Sequence, residues 1–216
     1  MFRGLRLIAV FIVLALAVYI TLSGCASFGP KRAPLASLPD STDADTMTQA
    51  LEAMALDYPE DANVFFVLGN TYYDQAIPDQ ARQNYEKAIA LDPNMSKARV
   101  NLAMLLAETG ESDSARVMLE GVVKNDPKDS RALTNLGMLC YNLKDVDTAV
   151  KYYSMAIQAD PKNPEAHYNL GVAFGEAGLV LEAMREWNTV LELVTEGDTA
   201  QRARLALERA DGVLAK

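Results

Sequence analysis

The sequence predicts an all-α protein: a solenoid of four helix pairs with a capping helix at each end. Three observations predict it. Pro59, Pro93, Pro127 and Pro161 recur at one constant interval of about 34 residues. Gly69, Ala103, Gly137 and Gly171 keep the same spacing, as do Ala81, Ala115, Ala149 and Ala183. Between these landmarks, apolar and small residues recur at i, i+3, i+4 and i+7, as Phe65, Leu68, Gly69 and Tyr72 do, which is one face of a helix. A fixed period of about 20–50 residues is how stacked repeats read in sequence, because one unit cannot bury its apolar face without a neighbour.

The chain begins differently. Arg3 and Arg6 precede an uncharged run over residues 7–22, and Ser23 and Gly24 precede Cys25. Positive charge, apolar core and small residues make the layout of a secretory signal. The run is shorter than the roughly 20 residues a full membrane span needs. Leu22-Ser23-Gly24-Cys25 resembles the bacterial lipobox. The resemblance implies a signal peptide over residues 1–24, cleavage before Cys25, and acylation of Cys25 as the membrane attachment. Two or more acyl chains hold a protein stably where one holds it marginally. The remaining readings are an uncleaved anchor, or an ordinary signal with an incidental cysteine. Ala26 stands where Asp would resemble an inner-membrane retention signal. In a Gram-negative cell this points to the outer membrane, facing the periplasm.

Residues 25–41 contain Pro30, Pro34 and Pro39 and no helical period, so they read as a tether. Fully extended at about 3.1 Å per residue, it would reach roughly 50 Å. Residues 42–61 hold a lone helix over 43–57, an N-terminal half-repeat cap. Repeats follow at 62–95, 96–129, 130–163 and 164–197. The first contains Phe65-x2-Leu68-Gly69-x2-Tyr72, then Ala81-x3-Tyr85, Ala88 and Pro93. This resembles the tetratricopeptide repeat, TPR, with Phe in place of Trp. The resemblance implies a right-handed α-solenoid. Pro78 suits the first turn of a second helix. Gly110 and Gly178 stand where a first helix must stop and reverse. Asp-Pro pairs end the second helices, because a residue before proline avoids the helical region. Residues 198–216 supply the C-terminal capping helix, with Ala203, Leu207, Ala210 and Leu214 on one face.

Composition limits the function. The formal charge is −9, and loss of Arg3 and Arg6 with the signal takes it to −11. A chain this acidic is not a nucleic-acid binder, since phosphate contacts need clustered Lys and Arg. With Cys25 acylated, Cys140 has no disulfide partner. The only histidine, His167, stands in its repeat where Phe65 and Leu133 stand in theirs, so it reads as a packed residue, and a multi-His metal site is excluded. Cys140 replaces Tyr72, Leu106 and Phe174 and reads as a small buried hydrophobe. No motif for a nucleophile, a zinc protease or a phosphate loop is present. The sequence therefore predicts no enzyme, no metal, no cofactor and no small-molecule substrate.

The TPR resemblance implies that positions 2, 5, 9, 12 and 13 of each first helix face a concave groove. Position 5 holds Phe66, Val100, Thr134 and Tyr168, and position 9 holds Asn70, Met104, Met138 and Val172. Position 12 holds Tyr73, Ala107, Tyr141 and Gly175; position 13 holds Asp74, Glu108, Asn142 and Glu176. Lys97 and Arg131 come from position 2. The partner-binding groove expected from this register is Phe66, Asn70, Tyr73, Lys97, Met104, Arg131, Met138, Tyr141 and Tyr168. Rigid aromatics and adaptable Met suit peptide contact; the competing reading is that rings such as Phe66 and Tyr73 pack between repeats. One subfamily clamps a peptide carboxylate. Asn70, Asn101 and Arg131 match its pattern, but Phe66 and Asn135 replace two of its basic residues, so a full clamp is not expected.

The expected function is a lipid-anchored scaffold that holds protein or peptide partners beside a membrane. At fold level it resembles the TPR lipoproteins of pilus biogenesis, including secretin pilotins and Flp/Tad assembly proteins. The alternative is a structural or self-assembling envelope protein, with a lipid-anchored enzyme last.

Overall fold

The repeat period becomes a right-handed ladder of antiparallel helix pairs. In the computed structural model, residues 32–38 and 44–214 are described. The signal segment, Cys25, Ala26 and the outer part of the tether lie outside the described residues. A 3-10 turn at Leu35–Ser37 precedes ten α-helices among the described residues. They are α1 (Ala44–Asp57), α2 (Ala62–Asp74), α3 (Pro78–Leu91), α4 (Ser96–Glu108), α5 (Ser112–Asn125), α6 (Ser130–Asn142), α7 (Val146–Ala159), α8 (Pro164–Glu176), α9 (Val180–Leu193) and α10 (Asp198–Leu214). The four repeats are α2–α3, α4–α5, α6–α7 and α8–α9.

Each pair closes on one small residue and, in the helix that follows, one large one. A Cβ built on Gly69 would sit 2.6 Å from the Tyr85 ring, one on Gly137 2.5 Å from Tyr153, and one on Gly171 2.5 Å from Trp187. No real side chain tolerates that approach, so glycine lets an aromatic ring lie flat on the facing helix. The second repeat makes the opposite choice. Ala103 stands where the glycines stand, and buried Leu119 takes the ring's place. Small-with-large and medium-with-medium keep the volume of the crossing constant, as close packing demands.

The turn inside each pair also repeats. Ala76, Gly110, Lys144 and Gly178 follow the same interval, and all have positive φ, at 56°, 93°, 67° and 78°. The residue after each donates its N–H back to a carbonyl five residues earlier: Ile77 to Tyr72, Glu111 to Leu106, Asp145 to Cys140 and Leu179 to Phe174. This is the glycine-type helix stop. The sequence marks it at Gly110 and Gly178 but not at Ala76 and Lys144, whose Cβ atoms make the left-handed region costly. Lys144→Gly should therefore raise stability by about 0.5–1 kcal/mol, a net of relieved strain against added chain freedom. A thermal melt that does not rise would contradict that reading of the turn.

Between repeats, Asp92, Asp126 and Asp160 end the second helices. Each accepts, through Oδ1, the backbone N–H two residues on, from Asn94, Lys128 and Lys162 respectively. Side-chain caps then start the next first helix: Asp129 accepts from the Ala132 N–H and Asn163 from the Ala166 N–H.

Both ends borrow the repeat register. Leu51 of α1 lies one repeat length before Tyr85 and is fully buried, so α1 takes the place of a second helix from a missing repeat. α10 takes the place of a fifth first helix, with Ala203 and Ala210 buried against the fourth repeat. Where α8 carries Leu170, Gly171 and Phe174 for its partner helix, α10 carries Arg204, Leu205 and Glu208, all exposed. Two of these three positions carry charge instead of the small and apolar residues that seat a partner helix within the repeats.

Part of the stretch read as a tether is bound to the first repeat. The Ala33 N–H donates to Asp61 Oδ2 at 2.6 Å, while Asp61 Oδ1 accepts the Asn63 N–H and caps α2. Burial would raise the Asp61 carboxyl, but the Ala33 and Asn63 donors outweigh it and, with Arg32 nearby, hold it below the ordinary carboxylate value. A depressed native value means that this carboxylate stabilises the fold fully above about pH 3.9, with the contribution lost as pH falls through the lower native value. Protection of the Ala33 amide, its exchange rate relative to the intrinsic rate at each pH, should fall across that acid range, and at neutral pH in Asp61→Ala. Exchange indifferent to both would show that the contact does not hold the segment.

Candidate functional site: the concave face

Each first helix packs on the next first helix: α2 on α4, α4 on α6, α6 on α8 and α8 on α10. The second helices make no packing of that extent with one another. The stack therefore curves, with first helices inside. All nine residues expected in the groove line one of three concavities on this inner face. Phe66, Asn70, Tyr73, Lys97, Met104 and Arg131 surround one of about 570 Å³. Met104 and Met138 line a smaller one of about 200 Å³ in the middle. Tyr141 and Tyr168 line the third, of about 440 Å³, against the fourth repeat and α10.

The register is less uniform than position numbers suggest. Val100 is fully buried and Thr134 is 6% exposed, so two of the four position-5 residues belong to the core. The Thr134 hydroxyl donates to the Ser130 carbonyl and accepts from Asn163 Nδ2, which ties α6 to the residue that caps α8. Only the end positions of that row, Phe66 and Tyr168, reach the groove. Tyr168 is itself partly covered, since the Arg202 guanidinium lies 4.4 Å over its ring.

Polar groups in the first concavity form a ladder. Asn70 Oδ1 accepts from the Tyr85 hydroxyl at 2.9 Å and from Asn101 Nδ2 at 2.7 Å. Asn101 Oδ1 in turn accepts from Arg131 Nη2. The three residues that match a carboxylate clamp are thus bonded to one another. Lys97 makes no ion pair among the described residues and presents its ammonium to the same space.

Two tyrosines reach toward the neighbouring first helix. The Tyr73 hydroxyl donates to Glu108 Oε1 at 2.6 Å, and the Tyr141 phenol lies beside the Glu176 carboxylate. The carboxylate beside each phenol pushes its pKa up to about 12. Sequence reasoning misses these pairs. It treats positions 12 and 13 as separate rows, whereas the pairing runs from position 12 of one repeat to position 13 of the next. The junction between repeats two and three has Ala107 and Asn142 instead, and the central concavity opens there.

Charge on this face runs against the helix dipoles. Lys97 and Arg131 are second residues of α4 and α6, near positive helix starts; Asp74, Glu108 and Glu176 are the last residues of α2, α4 and α8, at negative ends. Helix stability does not explain that arrangement.

His167 and Cys140 take structural places. His167 is 7% exposed, with Nδ1 2.6 Å from Glu186 Oε2 and Nε2 3.1 Å from the Pro161 carbonyl. It pins the inter-repeat turn to α9. Burial raises the Cys140 thiol above its ordinary value, the opposite of an activated nucleophile. Among the described residues, no three His, Cys, Asp or Glu side chains converge as a metal site.

Comparison with known proteins places these features. Residues 35–158 match the model of a family described as the cytochrome c-type biogenesis protein H TPR domain. Among solved structures, the chain is similar to the crystal structure of MamA, at 24% identity over 70% of this chain and 88% of that one, with a TM-score of 0.57. It is similar to pilF of Pseudomonas aeruginosa, at 19% identity over 80% and 77% of the two chains, with a TM-score of 0.66. It is also similar to TTC0263, a thermophilic TPR protein of Thermus thermophilus, at 19% identity over 76% and 90%, with a TM-score of 0.67. No curated protein sequence matches the chain.

Proposed function

We propose that this chain, which belongs to the family of the cytochrome c-type biogenesis protein H TPR domain, is a lipid-anchored scaffold that faces the periplasm and holds protein or peptide segments in its concave groove. A TPR array for protein interaction is what the family and the fold establish. The observation that carries the finer reading is the inner face itself: Tyr73, Met104 and Met138, with Phe66 and Tyr141 half-buried against the core, line its concavities beside Lys97 and Arg131, cations placed where helix dipoles disfavour them. Apolar anchors with displaced charge suit an extended or helical partner segment better than a purely structural role.

The attachment rests on the sequence: the two arginines, the apolar run and Leu22-Ser23-Gly24-Cys25. With a signal cut there, the chain is acylated at Cys25 and retained at the outer membrane. The process served is envelope assembly, of the pilus or secretion type. A second reading is favoured by the family match, whose description names cytochrome c-type biogenesis.

One experiment addresses anchor and partner together. Cys25→Ser should lose the mass of the acyl groups and move from the membrane to the soluble fraction. Wild-type protein captured from detergent-solubilised envelopes should bring a partner with it. Unchanged mass and retention would remove the anchor. Capture of pilus components or of cytochrome c biogenesis components would decide between the two processes.

A further inference from the structure

We infer that the C-terminal end of the groove, between α8, α9 and α10, is a receptor for one aromatic side chain of a bound segment, with Arg209 meeting an acidic group beside that ring. This rests on the reading that partners lie in the concave face, and adds what they must carry.

The chain shows the occupant elsewhere. At the first junction the Tyr73 ring lies between α2 and α4, with its hydroxyl on Glu108. At the third, Tyr141 of α6 stands beside the Glu176 carboxylate of α8. At the last junction, between α8 and α10, the same two positions are Gly175 and Ala210. Both the ring and the acid are missing, and a concavity of about 440 Å³ stands in their place. Its walls are chiefly apolar: Val172, Val180, Trp187, Ala206 and Ala210, with Tyr141 and Tyr168 among the same lining. A Cβ on Gly175 would meet Trp187 Cη2 at 3.4 Å, with Ala183 Cβ and Trp187 Cζ2 at 3.9 Å, ordinary contact distances, so nothing in the packing forbids a side chain there.

The walls are already fixed. Arg202 lies on Tyr168, Trp187 Nε1 donates to the Tyr168 carbonyl at 3.2 Å, and Tyr141 stands beside Glu176. A ligand ring entering here would order little that is not already ordered, and that is the condition for a strong anchor. The charges differ as well. Arg202 is engaged by Glu165 and Asp198. Arg209 lines the same concavity and forms no ion pair among the described residues. A guanidinium at the lip of an aromatic site stacks on the ring and pairs with a carboxylate.

Trp187 is the only tryptophan in the chain, so its fluorescence reports on this wall. The probe is the peptide acetyl-Glu-Phe-Glu-amide, titrated at millimolar concentration into the full chain in detergent, with acetyl-Glu-Ala-Glu-amide as control. The Phe peptide should change Trp187 emission and bind about tenfold or more tightly than the Ala peptide, the difference being one buried ring. Arg209→Gln should weaken it several-fold. Gly175→Tyr supplies the missing ring from within and should abolish the response. If Gly175→Tyr melts early, Ala206→Leu, which fills the same space from α10, takes its place and should also abolish it. Equal affinity for the two peptides, no response to either, or full response in a well-folded filled variant would overturn the inference. Wild-type recovery of an envelope partner alongside such a failure would leave the groove reading standing and remove only the aromatic receptor.

Discussion

Gly137→Leu should lower the melting temperature of the whole array more than any surface change, because even a single methyl group at Gly137 would enter the Tyr153 ring at 2.5 Å. Overpacking of this kind costs about 1–3 kcal/mol and at times more. Gly137→Ala is the cleaner form of the same experiment. It adds one carbon, and the chain contains its own remedy in the Ala103 and Leu119 crossing. Tyr153→Leu alone should also destabilise, since it empties space beside a buried ring. The double variant, Gly137→Ala with Tyr153→Leu, copies the second repeat into the third. It should recover part of the loss of each single change, with a coupling of about 0.5–3 kcal/mol for residues in direct contact. Additive losses in the double variant would mean that the two positions do not form one packing unit.

That crossing shows where sequence reading stops. The period marks Gly137 and its equivalents as small by requirement, and it places every helix pair. It does not show what requires the smallness, because the partner ring belongs to another helix and only the structure brings it onto the glycine. Ala76 and Lys144 hide the helix stop for a related reason. A left-handed residue is recognised in sequence by glycine, and here the backbone hydrogen bonds of the turn impose the conformation on residues that do not favour it. In the groove, positional rules work where the inner surface is open and fail at Val100 and Thr134, where the neighbouring repeat covers it. The Asp61 carboxylate is invisible in sequence as a binding point for Ala33, since nothing in the local pattern links two positions so far apart.

Truncating both Tyr141 and Tyr168 to Ala should reduce partner affinity roughly thirty-fold, the consequence of losing about 2 kcal/mol from a central aromatic anchor. The fold should survive with a modest loss. Register alone predicts a loss of about 0.5 kcal/mol, typical of an exposed site. The structure raises it, because Tyr141 packs partly against the core beside Glu176 and Tyr168 carries Arg202 over its ring, a contact of about 0.5–1 kcal/mol where partly exposed. A loss near 1 kcal/mol, about the sum of those two modest contacts, with partner binding nearly gone is the expected pair of results. Tyr141→Phe separates the two roles. It keeps the ring as an anchor and removes only the hydroxyl beside Glu176, so it should melt close to wild type and still bind.

Partners should meet the first helices and not the second. A photo-crosslinking residue tests it whatever the partner is. Placed in turn at Met104 and Met138, it looks into the groove; placed at Lys124 and Lys151, it looks out from the exposed side of α5 and α7. Irradiation of intact cells should give a discrete adduct of the same mass from Met104 and Met138, and none from Lys124 or Lys151. Adducts from the lysine positions alone, or equally from all four, would contradict the account.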